Sequence, residues 1–221
     1  RQAEMLQSHD KEYVAGVTFG ATTPSYDLEK EIDRFFPYDH ITSESVAEAL
    51  PVFIGEQEQI APLFSAKSVD GVRAYELARR LYKASVRGEA ALDETARELI
   101  RVSKINVSEL ELVEFTSGLS IPESGLGGGG STVFSPPTQS ASSRINVTDN
   151  SALGLPRAVI RMACSKGTYV RAFARDLGEK LGSGAHLDSL QRSRSGEFRV
   201  ENALTVDQAI ALLNAATPNQ L

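Results

Sequence analysis

Arg161-Met162-Ala163-Cys164-Ser165-Lys166-Gly167-Thr168-Tyr169-Val170-Arg171 opens the stretch on which the fold turns, and Gly184-Ala185-His186-Leu187-Asp188-Ser189-Leu190-Gln191-Arg192-Ser193-Arg194 closes it. Ala158 to Cys164 is an apolar run that meets a polar turn at Ser165-Lys166-Gly167. From Thr168 the apolar residues Val170, Phe173, Ala174, Leu177 and Leu181 recur at helical spacing, with Thr168 as the expected N-cap. The pattern predicts a strand, a tight turn and a helix. Tyr169 and Arg171 then fall in the first helical turn, at the mouth of a sheet. There a ring and a guanidinium can address one ligand, beside backbone N–H groups open to an anion. Between Arg161 and Val200 stand eight Lys or Arg against four Asp or Glu, in a chain of net charge −6. One basic face on an acidic chain points to a polyanion.

Composition narrows the classes. With 221 residues, 41% of them hydrophobic, the chain can bury one sizeable core, so a single soluble domain over residues 1–221 is expected. The lone Cys164 cannot form an intrachain disulfide, and its apolar setting makes it a small buried hydrophobe rather than a nucleophile. No apolar run approaches the ~18 residues of a membrane span, so no membrane role is expected. His9, His40 and His186 are scattered without ligand spacing, so no metal site is expected. A chain that begins at Arg1 without Met is expected to lack residues upstream.

Outward from the central stretch, Lys11 to Phe19 alternates Tyr13, Ala15, Val17 and Phe19 against Val14, Gly16 and Thr18, a strand with one apolar face. Ala21 to Asp27 is a turn punctuated by Pro24 and Asp27. Ser43 to Leu50 reads as a short helix capped by Ser43, with Val46, Ala49 and Leu50 on one face. Ile60 to Arg79 reads as strand, Asp70-Gly71 turn and helix. Residues 81–102 suggest an added amphipathic helix, and Lys104 to Phe115 alternates as a strand. Residues 116–154, with Gly127-Gly128-Gly129-Gly130-Ser131 and Pro136-Pro137, read as a flexible Gly/Ser/Pro-rich insertion, natural rather than an engineered linker. Ser195 to Val200 is expected to be a short strand, and Thr205 to Leu213 a capped helix. Strands alternating with helices imply an α/β domain whose mixed sheet is largely antiparallel, with flanking helices.

Cys164 to Arg171, with Asp176-Leu177-Gly178, Gly184-Ala185-His186-Leu187 and Leu190-Gln191-Arg192, resembles the signature of the TruB-type pseudouridine synthases, which isomerise a uridine in the T-loop of transfer RNA. Lys11-Glu12-Tyr13 matches the family's Lys-x-Tyr motif, and Ala61 to Arg79 looks like its Pro-Pro-x-Tyr-Ser-Ala-x-Lys block, with Ala61 for the first Pro and Phe64 for the Tyr. Pro24 stands where the family's Gly-x-x-Thr-Asp-Thr-x-Asp loop has Asp. The resemblance implies the pseudouridine synthase fold and a catalytic set of Tyr13 stacking on the extruded base, Tyr169 beside the proton to be removed, Arg171 pairing with the nucleophilic aspartate, and Leu190 packing under the site. Taken alone, Tyr13 is equally a strand aromatic on a core. Lys11, Lys67, Arg73, Lys166, Arg192 and Arg194 are the candidate RNA contacts; for Lys67 and Arg73 a solvated edge weighs evenly against phosphate contact.

The family's catalytic aspartate lies in a Gly-x-Leu-Asp loop upstream of Lys-x-Tyr, and residues 1 to 10 hold no such motif. The resemblance therefore implies an N-terminally incomplete catalytic domain of a tRNA pseudouridine synthase, whose chemistry needs no metal or organic cofactor. The alternative is a catalytically inactive relative serving as an RNA-binding or ribosome-assembly factor. The expected partner is RNA, tRNA before rRNA, with a protein partner able to cover the incomplete half or meet the insertions. The expected compartment is cytoplasm or, in a eukaryote, an organelle.

Overall fold

Strand β1, Lys11–Phe19, is the axis of the molecule, because its inward side chains Tyr13, Ala15, Val17 and Phe19 are all buried. A computed structural model describes residues 10–62, 68–69, 72–73, 102–119 and 149–216. After β1 come β2 (Ala21–Thr22), β3 (Arg34–Phe35), α1 (Ser43–Ala49), β4 (Gly55–Ile60), β5 (Ser68–Val69), β6 (Val72–Arg73) and β7 (Val102–Thr116). The chain then forms β8 (Arg157–Cys164), α2 (Val170–Lys180), β9 (Ala185–Ser195), β10 (Phe198–Arg199) and α3 (Val206–Ala216). Six strands make one sheet in the order β10-β9-β1-β8-β7-β4, every neighbouring pair antiparallel. The expected mixed α/β architecture with a largely antiparallel sheet is what forms.

The two faces of the sheet differ because period-two alternation sends successive side chains to opposite sides. On the inner face Ala158, Ile160 and Met162 of β8 and Ile105 and Val107 of β7 join the β1 set. Helix α2 covers them with Val170, Phe173, Ala174 and Leu177, and α1 adds Val46 and Ala49. Phe53 meets Phe173 edge-on, with ring centroids 5.4 Å apart. Each of the larger side chains, Val170, Phe173 and Leu177 among them, contributes about 1.5–3 kcal/mol on burial, so α2 is fixed by its apolar stripe. The outer face is polar and ion-paired. Arg157 holds Asp188 through two bonds of 2.8 Å, and Thr18 donates to the same carboxylate at 2.7 Å. Arg161 reaches Glu111 at 2.7 Å, Glu109 at 3.2 Å and Glu12 at 3.4 Å.

Several local expectations shift. The N-cap of α1 is Thr42, not Ser43, in a capping box with Ser45. The N-cap of α2 is Tyr169, not Thr168, whose hydroxyl donates instead to the Ser165 carbonyl at 2.9 Å. Ser195 to Val200 is not one strand but a hairpin, β9 running to Ser195 and turning through Gly196 into β10. The terminal helix is capped as expected, by reciprocal bonds between Thr205 and Gln208. Residues 81–101 of the expected added helix, and 120–148 of the expected insertion, lie outside the described residues. Cys164 is buried and burial pushes its thiol pKa up, which suits an inert small hydrophobe.

Candidate active site

The turn from β8 into α2 is pinned before the helix begins. Gly167 adopts φ 85°, a left-handed conformation that a side chain would strain. Ser165 N–H donates to the Asn106 carbonyl at 2.8 Å, and its hydroxyl accepts from Asn106 N–H at 2.9 Å. Tyr169, whose own side chain makes no capping bond, is held through its backbone by Gln59 of β4. Its N–H donates to Gln59 Oε1 at 2.8 Å, and Gln59 Nε2 donates back to its carbonyl at 3.1 Å.

Arg171, in the first turn of α2, reaches the loop that follows β2. Its Nη1 donates to Asp27 Oδ2 at 2.9 Å and to the Ser25 carbonyl at 3.3 Å. Asp27 is itself fixed, Oδ1 accepting from Ser25 Oγ at 2.6 Å and from Glu29 N–H at 3.0 Å. The loop lies along β9, since Leu187 N–H donates to the Tyr26 carbonyl at 3.0 Å, and the Arg175 guanidinium sits 5.7 Å from the Tyr26 ring centre. Burial raises the pKa of the Tyr26 hydroxyl. The sequence pattern lost an aspartate at Pro24, and Asp27 is the carboxylate that meets the guanidinium.

The sheet supplies the other wall. In the β1–β9 register Tyr13 faces Arg192, Ala15 faces Leu190, and Val17 faces Leu187. The Arg192 guanidinium lies 5.6 Å from the Tyr13 ring centre, a cation–π distance. Tyr13 is only 9% exposed, whereas Leu190 is 49% exposed, an apolar side chain left open on the inner face. Any ring that stacks on Tyr13 must displace Arg192 or use the other face of the tyrosine. The structure therefore brings Tyr13, Leu190 and Arg192 together on two paired strands, beneath the helix whose start carries Tyr169 and Arg171. Lys11 and Lys166 lie at the same end of the sheet, because Lys11 pairs with Cys164 one residue before the turn.

Arg194 does not join them. It lies opposite Glu12 on the outer face, 4.0 Å from that carboxylate, and donates to the Gly196 carbonyl. The Ser193 hydroxyl is the main reason Glu12 has a lowered pKa, with burial opposing it and Arg161 and Arg194 adding to the effect. Lys67 and the side chain of Arg73 lie outside the described residues. The basic excess read from the sequence is also partly spent within the chain. Arg161, Arg171, Arg175 and Arg194 each meet a carboxylate. The partners of Arg161, Arg171 and Arg194, namely Glu12, Asp27, Glu109 and Glu111, come from distant strands and loops that a charge count in one window does not reach, whereas Arg175 meets the adjacent Asp176.

His186 is fully buried, Nδ1 2.9 Å from the Ala21 carbonyl and Nε2 3.4 Å from the Asn150 amide. Burial lowers its pKa, so it is a neutral structural histidine. Among the described residues no cluster of His, Cys, Asp and Glu could hold a metal, and no helix is long and apolar enough to cross a membrane. Gln59 and Asp27 are the functional-site residues that sequence reasoning left unassigned. No local signal marked Gln59, because Glu56-Gln57-Glu58-Gln59 is polar throughout and its one buried position shows only in the fold.

A layered α/β domain with an open site between strand face and helix start defines the class, and sequence comparison gives the family. Residues 1–118 match the model of the TruB family pseudouridylate synthase N-terminal domain, and residues 171–219 that of the tRNA pseudouridylate synthase B C-terminal domain. The chain belongs to the TruB family of pseudouridylate synthases. It is 42% identical over 207 residues to the tRNA pseudouridine synthase B of Phocaeicola vulgatus, covering 94% of this chain and 66% of that protein. To the protein of the same name in Bacteroides thetaiotaomicron it is 43% identical, covering 92% and 65%. The Thermus thermophilus protein of that name is 36% identical, covering 91% and 58%. The chain thus spans just under two thirds of the length of the first two relatives. Among solved structures, a Cbf5-Nop10-Gar1 complex gives a TM-score of 0.49 at 17% identity, over 98% of this chain and 41% of that one, too slight a likeness to argue from.

Proposed function

We propose that the protein isomerises a uridine of transfer RNA to pseudouridine at the site between β1, β9 and the start of α2. The reaction breaks the bond from C1′ to N1, turns the base and joins C1′ to C5; the C5 hydrogen leaves as a proton and N1 gains one. The atoms balance without an external oxidant or reductant. It needs a nucleotide drawn out of its stack and a carboxylate beside the sugar.

The observation that carries the proposal is the convergence of Tyr13, Leu190 and Arg192 in one β1–β9 register under a helix start bearing Tyr169 and Arg171. In this reading the extruded base lies against Tyr13 and over Leu190, with Tyr169 near C5. Arg171 holds the nucleophilic carboxylate ionised from one side while Asp27 anchors the guanidinium from the other. Asp27 itself is a poor nucleophile, because both its oxygens are committed to donors. The attacking carboxylate is assigned to the family's Gly-x-Leu-Asp loop, which the 221 residues do not contain. Lys11, Lys166 and Arg192 bring positive charge to the rim for RNA phosphates.

The test is tritium release. Full-length protein incubated with tRNA carrying [5-³H]uridine in its T-loop should release close to one tritium per target uridine. Tight tRNA binding without release would favour the inactive RNA-binding relative instead.

A further inference from the structure

We propose that Gln59 is a positioning residue of this site, its carboxamide setting where α2 begins and so how Tyr169 and Arg171 are presented. The inference rests on the function proposed above. Gln59 is 4% exposed and is the one buried residue of β4. A buried carboxamide must satisfy both its donor and its acceptor. Gln59 spends the two on one residue, accepting from Tyr169 N–H at 2.8 Å and donating to Tyr169 O at 3.1 Å. That carbonyl also receives the first helical bond of α2, from Phe173 N–H at 3.1 Å. The side chain thus grips the residue on which the helix is founded.

The grip replaces a missing local cap. Helix starts are normally fixed by a Ser, Thr, Asp or Asn at the N-cap. Here the N-cap is a tyrosine with no capping bond, and Thr168 is turned back to Ser165. A residue 110 positions earlier supplies the constraint. The next residue of β4 adds a second point, the Ile60 carbonyl accepting from Arg175 Nη2 at 3.0 Å one turn along the helix. Strand β4 therefore fixes both the height and the rotation of α2 at the end where Tyr169 and Arg171 project. Gln57, two residues earlier on the strand, bonds instead to the Phe53 carbonyl and serves as the control.

Three full-length variants test this against tritium release and tRNA affinity, measured separately. Gln59→Leu keeps the volume and loses both bonds; Gln59→Glu keeps an acceptor for Tyr169 N–H and loses the donor; Gln57→Leu loses a bond on the same strand. A misplaced reacting group costs roughly ten- to a hundredfold in rate. Single-turnover release should fall by that range in Gln59→Leu and by less in Gln59→Glu, with tRNA affinity held, while Gln57→Leu keeps the rate of the unsubstituted protein. An unchanged rate in Gln59→Leu, or losses in rate and affinity of equal size, would overturn the proposal. Without RNA, the Tyr169 amide and Arg171 Nε–H resonances in ¹⁵N–¹H correlation spectra should both move in Gln59→Leu and stay in Gln57→Leu. If they do not move, the proposal fails whatever the activity. If the unsubstituted protein releases no tritium, the proposed function fails and these resonances alone decide the role of Gln59.

Discussion

Gly178 lies in α2 close against the start of β9. A Cβ built on it would sit 2.7 Å from the Ala185 nitrogen, 2.8 Å from Ala185 Cβ and 2.9 Å from the Gly184 carbonyl carbon. Two effects of Gly178→Ala oppose each other. Alanine in a helix interior is favoured over glycine by about 1 kcal/mol. Overpacking costs about 1–3 kcal/mol, and the upper half applies because the atoms met are backbone and a Cβ, none of which can swing aside. The clash wins, leaving the variant about 1–2 kcal/mol less stable. For a protein of this size that lowers Tm by about 2–8 °C. Relief requires α2 to lift from β9, which also shifts Arg171 relative to Leu190. Thermal unfolding followed by circular dichroism measures the first effect, and single-turnover tritium release the second. A variant with raised Tm, as an unpacked helical glycine would give, would refute the close-packing argument.

Two further predictions concern stability against pH. Burial pushes the Asp188 carboxyl up, but hydrogen bonds from Arg157, Thr18 and Ser189 outweigh it and hold its pKa below the ordinary value. Its contribution is therefore present above the unfolded pKa of about 3.9 and is lost as pH falls through the lower folded value. Asp188→Asn should cost about 1–2 kcal/mol at pH 7, with the gap to the unsubstituted protein closing below pH ~4; a gap constant with pH in urea titrations would contradict it. Burial lowers the His186 pKa, so only the unfolded chain takes up that proton just below pH ~6.5. Stability should fall on acidification from that point and His186→Gln should remove that slope; parallel pH profiles would count against it.

The sequence announced the fold where one period held without interruption. Strand β1 keeps Tyr13, Ala15, Val17 and Phe19 on one face with only Val14 as an apolar residue opposite, and α2 carries an unbroken apolar stripe, so both were legible. Strand β9 was not, because register shifts beside Asp188 and Ser193 break its alternation against β1. Strand β4 hid for another reason. Its residues Glu56-Gln57-Glu58-Gln59 show no apolar face, since what it buries is a carboxamide. Tyr13, Tyr169, Arg171 and Leu190 were named by motif, and the fold adds their registers and partners. The Arg171–Asp27 and Gln59–Tyr169 contacts join residues 144 and 110 positions apart. No local pattern encodes such pairs; they follow from the packing of α2 on the sheet. Arg194 shows the converse, a basic residue close in sequence to Arg192 that a bulge delivers to the opposite face.

In the proposed reaction Arg171 serves the chemical step rather than RNA binding. Lysine keeps the charge but loses the planar fork that can hold two carboxylates at once. The deciding measurement is single-turnover tritium release by full-length Arg171→Lys, set beside its tRNA dissociation constant. The rate should be lower by roughly a hundredfold or more, with affinity within about threefold of the unsubstituted protein. An unchanged rate, or a loss of rate matched by an equal loss of affinity, would contradict it.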